Sequence, residues 1–315
     1  DTLLGKLVEE EFDLVALAVP MIPSPGLDKL ADKLMVPVGE DGFIQERHPK
    51  LYPVSLITSG VFACGCALGP KDIRDSVSEA LGAAAEASSF LGTGYVTTSV
   101  EKPFVYEELC DGCGACVEVC PSNAVTLAGG KAEINPYLCV ECGACVPECP
   151  RGAIDFRNAT ERQVFSQVEG VLAGKGSEET RAVAFVEKTI AYTGIDFLGL
   201  DRVEYPPGIR VIPVPSTAMV GMRHLLHAFA AGADGVALIE GKHEIDERFM
   251  RNRTKALSAS LEDYGVEDFR LWYSLVEIPA YRKTAGIFSS FISLLEDLGP
   301  LPEEVRSDLK QRIGI

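Results

Sequence analysis

Short apolar runs bounded by charge, glycine or proline recur along the chain, with longer stretches of three- and four-residue apolar spacing between several of them. Phe12 to Pro20, FDLVALAVP, is apolar at nearly every position, the pattern of a buried strand in an α/β domain. Ser59 to Cys66 reads as a second strand, with Cys64 and Cys66 on one face of it. Pro70 then opens a helix, Asp72 suits its first turn, and Ile73, Val77, Ala80, Leu81 and Ala84 form one face predicted to be buried. Beyond residue 180, Ala182 to Val186, Val211 to Val214 and Val236 to Ile239 read as strands, accompanied by amphipathic helices that include Met222 to Ala231 and Glu247 to Tyr264. Alternating strand and helix predict a parallel α/β sheet. Glu169 to Glu179, EGVLAGKGSEE, reads as a linker.

Between these segments lies an internal repeat, YEELCDGCGACVEVCPSNAVTL against NPYLCVECGACVPECPRGAIDF. Each copy carries four cysteines at one spacing and ends them in Cys-Pro: Cys110, Cys113, Cys116 and Cys120, then Cys139, Cys142, Cys145 and Cys149. Paired Cys-x-x-Cys units also hold zinc, but the third cysteine at the same spacing and the Cys-Pro ending match the two-cluster bacterial ferredoxins. That resemblance implies two [4Fe-4S] clusters, one on Cys110, Cys113, Cys116 and Cys149, the other on Cys139, Cys142, Cys145 and Cys120. Gly112, Gly114 and Gly143, with Ala115 and Ala144, let the backbone wind closely around such a group. A short helix is expected between the third and fourth cysteine of each copy, and a strand after each Cys-Pro at Ala124 to Leu127 and Ala153 to Phe156. Val117, Val146, Val125 and Ile154 match across the repeat and are expected to keep water from the sulfurs.

The 315 residues, 47% of them hydrophobic, suffice for two or three domains. A net charge of -17 disfavours nucleic acid and anionic membrane surfaces. No apolar run approaches bilayer length, so membrane association is expected only through a partner protein. Free cysteines at this density suit a reducing, anaerobic cytoplasm.

The run of motifs in the first hundred residues, "DLVALA…P", "GFIQ" and "TSGVFACGC", is similar to the end of the FAD domain in thioredoxin-reductase-like flavoproteins. The continuation GCALGPKDIRDSV resembles the A-subunit family of heterodisulfide reductase. The resemblance implies FAD near Gly65, Cys66, Gly69, Pro70, Lys71, Asp72 and Ile73, with the helix N-terminus facing the ring. Cys66 stands where the flavoproteins have an Asp, and the dinucleotide Gly-x-Gly-x-x-Gly does not occur in the sequence. The flavin site is therefore expected to be completed by polypeptide outside this chain, whose opening at Asp1 reads as the interior of a domain.

The tail, from AFVEKTIAYTGIDF to GVALIEGKH, resembles the small iron-sulfur D-subunit of methyl-viologen-reducing hydrogenase, which binds a [2Fe-2S] cluster through cysteines. Here those places hold Val186, Glu187, Ile190, Ser216 and Gly241, and no cysteine follows Cys149. A docking role is implied in place of a cofactor. His224, His227 and His243 are expected on an exposed helix face or at a partner contact.

The reading is thus an α/β multidomain chain: residues 1–100 the C-terminal part of a thioredoxin-reductase-like FAD domain, 101–158 an α+β ferredoxin module with two [4Fe-4S] clusters, 159–179 a linker, and 180–315 a hydrogenase-D-like α/β domain without cluster ligands. The combination most resembles the B-subunit family of the quinone-interacting membrane-bound oxidoreductase. That resemblance implies electron exchange between a membrane quinone pool, reached through partner proteins, and adenylylsulfate reductase, and its partners would be a second flavoprotein and a membrane quinone or haem protein. Two alternatives stand beside it: an electron-bifurcating A-subunit of heterodisulfide reductase, and a structural adaptor. No catalytic residue stands out.

Overall fold

The computed structural model describes residues 9, 11–34, 36–39, 41–95, 101–176, 179–241, 247–277 and 280–314. The first segment departs most from the sequence pattern. Residues 11–22 form no strand, and Leu14 is 87% exposed, with Phe12, Val15, Leu17 and Val19 exposed beside it. A run that is apolar on both faces gains from extension only where layers cover both faces. Among the described residues nothing covers this one. Helix α1, Leu27–Leu34, packs Ala31 into a small core with Val36, Ile44, Leu56 and Leu68. The strand expected over Ser59 to Cys66 is instead a single bridge at Phe62 followed by a 3-10 turn over Gly65–Ala67. Helix α2, Ile73–Gly92, begins where predicted, capped by the Asp72 carboxylate, which accepts from Asp75 N at 2.8 Å. Its predicted buried face is open: Ile73 is 85% exposed, and Val77, Ala80, Leu81 and Ala84 are exposed or only half-buried. Periodicity reports that a helix has an apolar face, not that a partner lies against it.

The repeat folds as two matching halves. Strand β1, Pro103–Val105, pairs antiparallel with β4, Ile154–Phe156, and β2, Val125–Ala128, pairs with β3, Lys131–Ile134. Helices α3, Ala115–Val119, and α4, Cys145–Glu148, lie between the third and fourth cysteines as expected. Val125, Val146 and Ile154 are buried, and Val117 is half-buried against them.

What read as a linker is largely helix. Helix α5, Glu161–Leu172, opens on a capping box in which Thr160 Oγ1 accepts from Gln163 N and the Gln163 side chain accepts from Thr160 N. It buries Val164, Val168 and Leu172. These residues join Cys116, Cys145, Cys149 and Phe156 to Leu225, Phe229 and Phe185 in one continuous core, so the cysteine module and the α/β domain share an interior.

The α/β domain is a four-stranded parallel sheet in the order β6-β5-β7-β8, formed by Ala182–Glu187 (β5), Ile209–Val214 (β6), Gly235–Gly241 (β7) and Leu271–Val276 (β8). Alternation splits β5 between two interiors. Ala182, Ala184 and Val186 meet α6, Ala191–Leu200, and α9, Lys283–Leu298, while Val183 and Phe185 face α5 and α7, Met222–Ala231. Helix α8, Glu247–Leu261, continues as a 3-10 turn to Tyr264, and α10, Glu303–Ile313, packs on α7. His224 and His227 are buried, contrary to the exposed face expected of them: α5 covers that face of α7, and His227 stacks on Phe165 at 4.1 Å. Burial pushes the His224 imidazole down to about 3, so it is neutral packing. His243 lies outside the described residues.

Candidate iron-sulfur centre

Cys110, Cys113, Cys116 and Cys149 line one cavity, with Ile154, Ala132 and Leu127 as its apolar wall. The first run thus shares this cavity with the last cysteine of the second, the grouping that the ferredoxin resemblance implies. Burial pushes the Cys116 thiol up, and its neighbours Cys113, Cys149 and Cys110 push it further. Around Cys142 the neighbours are Cys139 and Cys120; burial first, then these thiols, push it up to about 12. Cys145 is raised well above the usual thiol range by burial and by Cys142, Cys139 and Cys120, and it also feels Cys116 of the other set. Thiols this buried stay protonated unless a cation takes the place of the proton, which is what ligated iron does. Among the described residues no three His, Cys, Asp or Glu side chains converge as a single metal ion needs. The donor set, eight thiols of which Cys116, Cys145 and Cys149 are buried, suits iron-sulfur ligation.

The backbone matches in both halves. Ala124 N donates to Cys120 Sγ and Ala153 N to Cys149 Sγ, each at 3.2 Å and each four residues after its cysteine. Ala132 N reaches Cys110 Sγ at 3.4 Å. Lysines brace the first cysteine of each run through its carbonyl: Lys131 Nζ on Cys110 O at 2.5 Å, Lys102 Nζ on Cys139 O at 3.1 Å. Both lie outside the cysteine motif, so its spacing gave no sign of them. Gly112 sits at φ +73, where a Cβ would lie 2.3 Å from Gly130 O. Only glycine fits there.

Glu141 occupies the equivalent place in the second half, also left-handed at φ 63. An L side chain in that conformation costs about 1 kcal/mol. Its contact with Lys102, at 3.8 Å and partly exposed, returns little of that. Glu141→Gly is expected to stabilise the second half by about 1 kcal/mol, seen as slower anaerobic bleaching of its cluster in guanidinium; faster bleaching would show that Glu141 holds the loop.

The residues read as flavin-facing are brought together at one helix start, but they largely bond one another. Lys71 Nζ pairs with Glu79, whose other oxygen accepts from Gly65 N at 2.8 Å, while Asp72 caps α2. Cys66 is exposed, its thiol 3.6 Å from Lys71 O, and Cys64 is half-buried. Gly69, Pro70 and Ile73 complete the turn into α2. This segment exposes Cys66 and the apolar face of α2.

The positions at which the hydrogenase-delta resemblance implies cluster ligands gather at the C-terminal ends of β5, β6 and β7. Glu187 accepts from Ile190 N and Ala191 N at 2.8 and 3.0 Å, capping α6. Glu240 Oε2 accepts from Thr217 N, Thr217 Oγ1 and Ser216 Oγ, pinning the turn that carries Ala218 and Met219 against Ala144 and Gly143. Burial pushes the Glu240 carboxyl from near 4.5 up to about 8, with Glu187 adding to it. Because the folded value lies above the unfolded one, the stability it contributes is complete below about 4.5 and is lost as pH rises through about 8. Glu240→Gln is expected to flatten that decline in denaturation series across this range; an unchanged slope would place the titration elsewhere.

Residues 109–153 match the 4Fe-4S dicluster domain family, and residues 182–299 match the family of the methyl-viologen-reducing hydrogenase delta subunit. The chain is 34% identical to the A-subunit of ferredoxin:CoB-CoM heterodisulfide reductase from Methanosarcina mazei over 98% of its own length. Along nearly its whole length the chain is similar to the heterodisulfide reductase A-subunit. It spans 39% of the length of that relative. The A-subunit of H2:CoB-CoM heterodisulfide,ferredoxin reductase from Methanothermobacter thermautotrophicus is 45% identical over 55% of the chain and 26% of its own length. An Archaeoglobus profundus protein named as like the heterodisulfide reductase A-subunit is 48% identical over 40% of the chain and 18% of its own length. The hydrogenase-delta resemblance is borne out by the second family match, and no helix among the described residues is long and apolar enough to cross a membrane.

Proposed function

We propose that this chain is the electron-transfer iron-sulfur part of a heterodisulfide-reductase-type oxidoreductase complex, working as the A-subunit of such a complex. The observation that carries this is the cross-pairing of Cys110, Cys113 and Cys116 with Cys149 in one cavity, and of Cys139, Cys142 and Cys145 with Cys120 beside it. Bound clusters would supply one-electron chemistry there. The chain's own residues do the rest: the thiols hold iron, Ala124, Ala132 and Ala153 donate to sulfur, and Val125, Val146 and Ile154 exclude water. The flavin belongs to this reading through the resemblance of residues 59–77, and the exposed face of α2 is consistent with walls supplied by further polypeptide.

The names of the relatives favour a heterodisulfide reductase over the quinone-linked complex expected from the sequence. One observation supports the quinone-linked alternative: Val186, Glu187, Ile190, Ser216 and Gly241 stand where the hydrogenase-delta resemblance implies cluster ligands. Anaerobic isolation of the native complex with mass spectrometry of each component separates the two. Heterodisulfide-cleaving or hydrogenase proteins are the expected companions. A haem-bearing membrane protein with a second flavoprotein would favour the alternative.

A further inference from the structure

Arg253 lies within α8 with its side chain 9% exposed. Its Nη1 donates to Glu148 Oε1 at 2.9 Å, but Nε and Nη2 are buried and find no hydrogen-bond partner among the described residues. With Nε and Nη2 unpaired, a guanidinium kept this way costs stability unless negative charge beyond Glu148 lies near. Helix α8 shows where that charge belongs. Phe249 and Met250, one turn before Arg253, pack with Cys142 and Ala144. Arg253 itself lines a cavity with Val119, the neighbour in sequence of Cys120. Its charge is felt at Cys142, where it opposes the effect of burial.

The two halves of the repeat match in the amides at Ala124 and Ala153 and in the lysines at Lys131 and Lys102, and the first set has one further amide, Ala132 N on Cys110 Sγ at 3.4 Å. Their basic neighbours do not match. At the first set Arg151 is largely exposed and paired with Asp111 at 2.9 Å, so water screens it. At the second set Arg253 is buried and only partly paired.

We propose that Arg253 sets the order of potentials: it raises the reduction potential of the cluster held by Cys139, Cys142, Cys145 and Cys120 above that of the cluster held by Cys110, Cys113, Cys116 and Cys149. Adding one electron makes a thiolate-ligated cube more negative, and a buried positive charge stabilises that reduced state. An electron entering at the exposed Cys113 side then comes to rest at the second set, beneath the α/β domain. The domain without cysteines thereby acts on electron transfer through one side chain. This rests on the reading that both sets hold clusters.

The test is an anaerobic potentiometric titration of the whole, cluster-loaded chain, with dithionite as reductant. EPR follows each cluster, and Cys113→Ser and Cys142→Ser assign the signals. In Arg253→Gln the reduced-to-oxidised ratio of the second cluster at fixed potential is expected to fall about tenfold, a shift of about 59 mV for one electron, with the first cluster moving less. Arg253→Lys is expected to keep most of the wild-type value. Glu148→Gln removes the compensating carboxylate and is expected to raise the second potential. An unmoved second cluster in Arg253→Gln with iron retained, an equal shift of both clusters, or a lower second potential in Glu148→Gln overturns the proposal. If Arg253→Gln loses its iron, Glu148→Gln and Arg253→Lys decide, and no displacement in Glu148→Gln overturns it. Wild-type chain without iron would instead overturn the reading on which the proposal rests.

Discussion

Cys142→Ser is expected to remove one cluster and loosen the packing of the cysteine module on the α/β domain. Cys142 packs with Ala144, Ala218, Phe249, Met250 and Tyr273, so its set lies at the contact between the two. Its thiol, pushed up to about 12 by burial, is a ligand only while iron offsets the cost of the charge. Serine ligates iron poorly, and without the cube Cys139, Cys145 and Cys120 surround an unfilled space. Iron content is expected to fall to about four per chain. The stability lost exceeds that of an ordinary side-chain truncation, beyond about 5 kcal/mol. Cys113→Ser is the contrasting case, because Cys113 is exposed at the rim of the other set. It is expected to lose the first cluster and keep the second with a smaller fall in stability. Iron analysis and thermal denaturation under argon check both; equal destabilisation by the two variants would contradict the burial asymmetry.

Asp234→Ala is expected to cost about 3–5 kcal/mol without touching either thiol set. The Asp234 side chain is 1% exposed and tied on both oxygens: Oδ1 accepts from Arg306 Nη2 at 2.6 Å, Oδ2 from Lys175 Nζ at 2.5 Å and Arg181 N at 3.0 Å. It joins the segment after α5, the start of β5, the turn before β7, and α10. Burial already holds the Lys175 and Arg306 values below their usual ranges, and Asp234 is the carboxylate that offsets it in both. Alanine leaves the buried Arg306 and the half-buried Lys175 without their shared carboxylate. A fall in melting temperature of about 10 °C is expected for a domain of this size, with the EPR signals unchanged. A drop under about 2 °C would mean that water replaces the carboxylate.

How much of this was legible in the sequence depends on whether an element carries its own partner. The repeat does: its two short helices and both strands after Cys-Pro stand where the pattern puts them. The sheet was legible through β5 and β7, whose apolar runs mark strands covered on both sides, and through the apolar end of the edge strand β6. Strand β8, Leu271–Val276, was missed although LWYSLV is rich in strand-forming residues. Helix α5 was missed at its start for want of reading Thr160 and Gln163 as a capping box, with Val164, Val168 and Leu172 at helical spacing behind it. Phe12 to Pro20 and the Ile73–Leu81 face failed for the opposite reason: their apolar pattern needs partners that the described residues do not supply. His224 and His227 were misplaced because three-residue spacing shows that two side chains share a helix face but not what covers it. Arg253 has no motif around it and emerges only when α8 is seen against the second set.

The central claim is that the eight cysteines hold two cubes, and the most direct measurement is iron, inorganic sulfide and EPR on the anaerobically isolated whole chain. The account predicts about eight irons and eight sulfides per chain, with two interacting reduced signals. About two zinc ions per chain, with no sulfide and no signal after reduction, would contradict it.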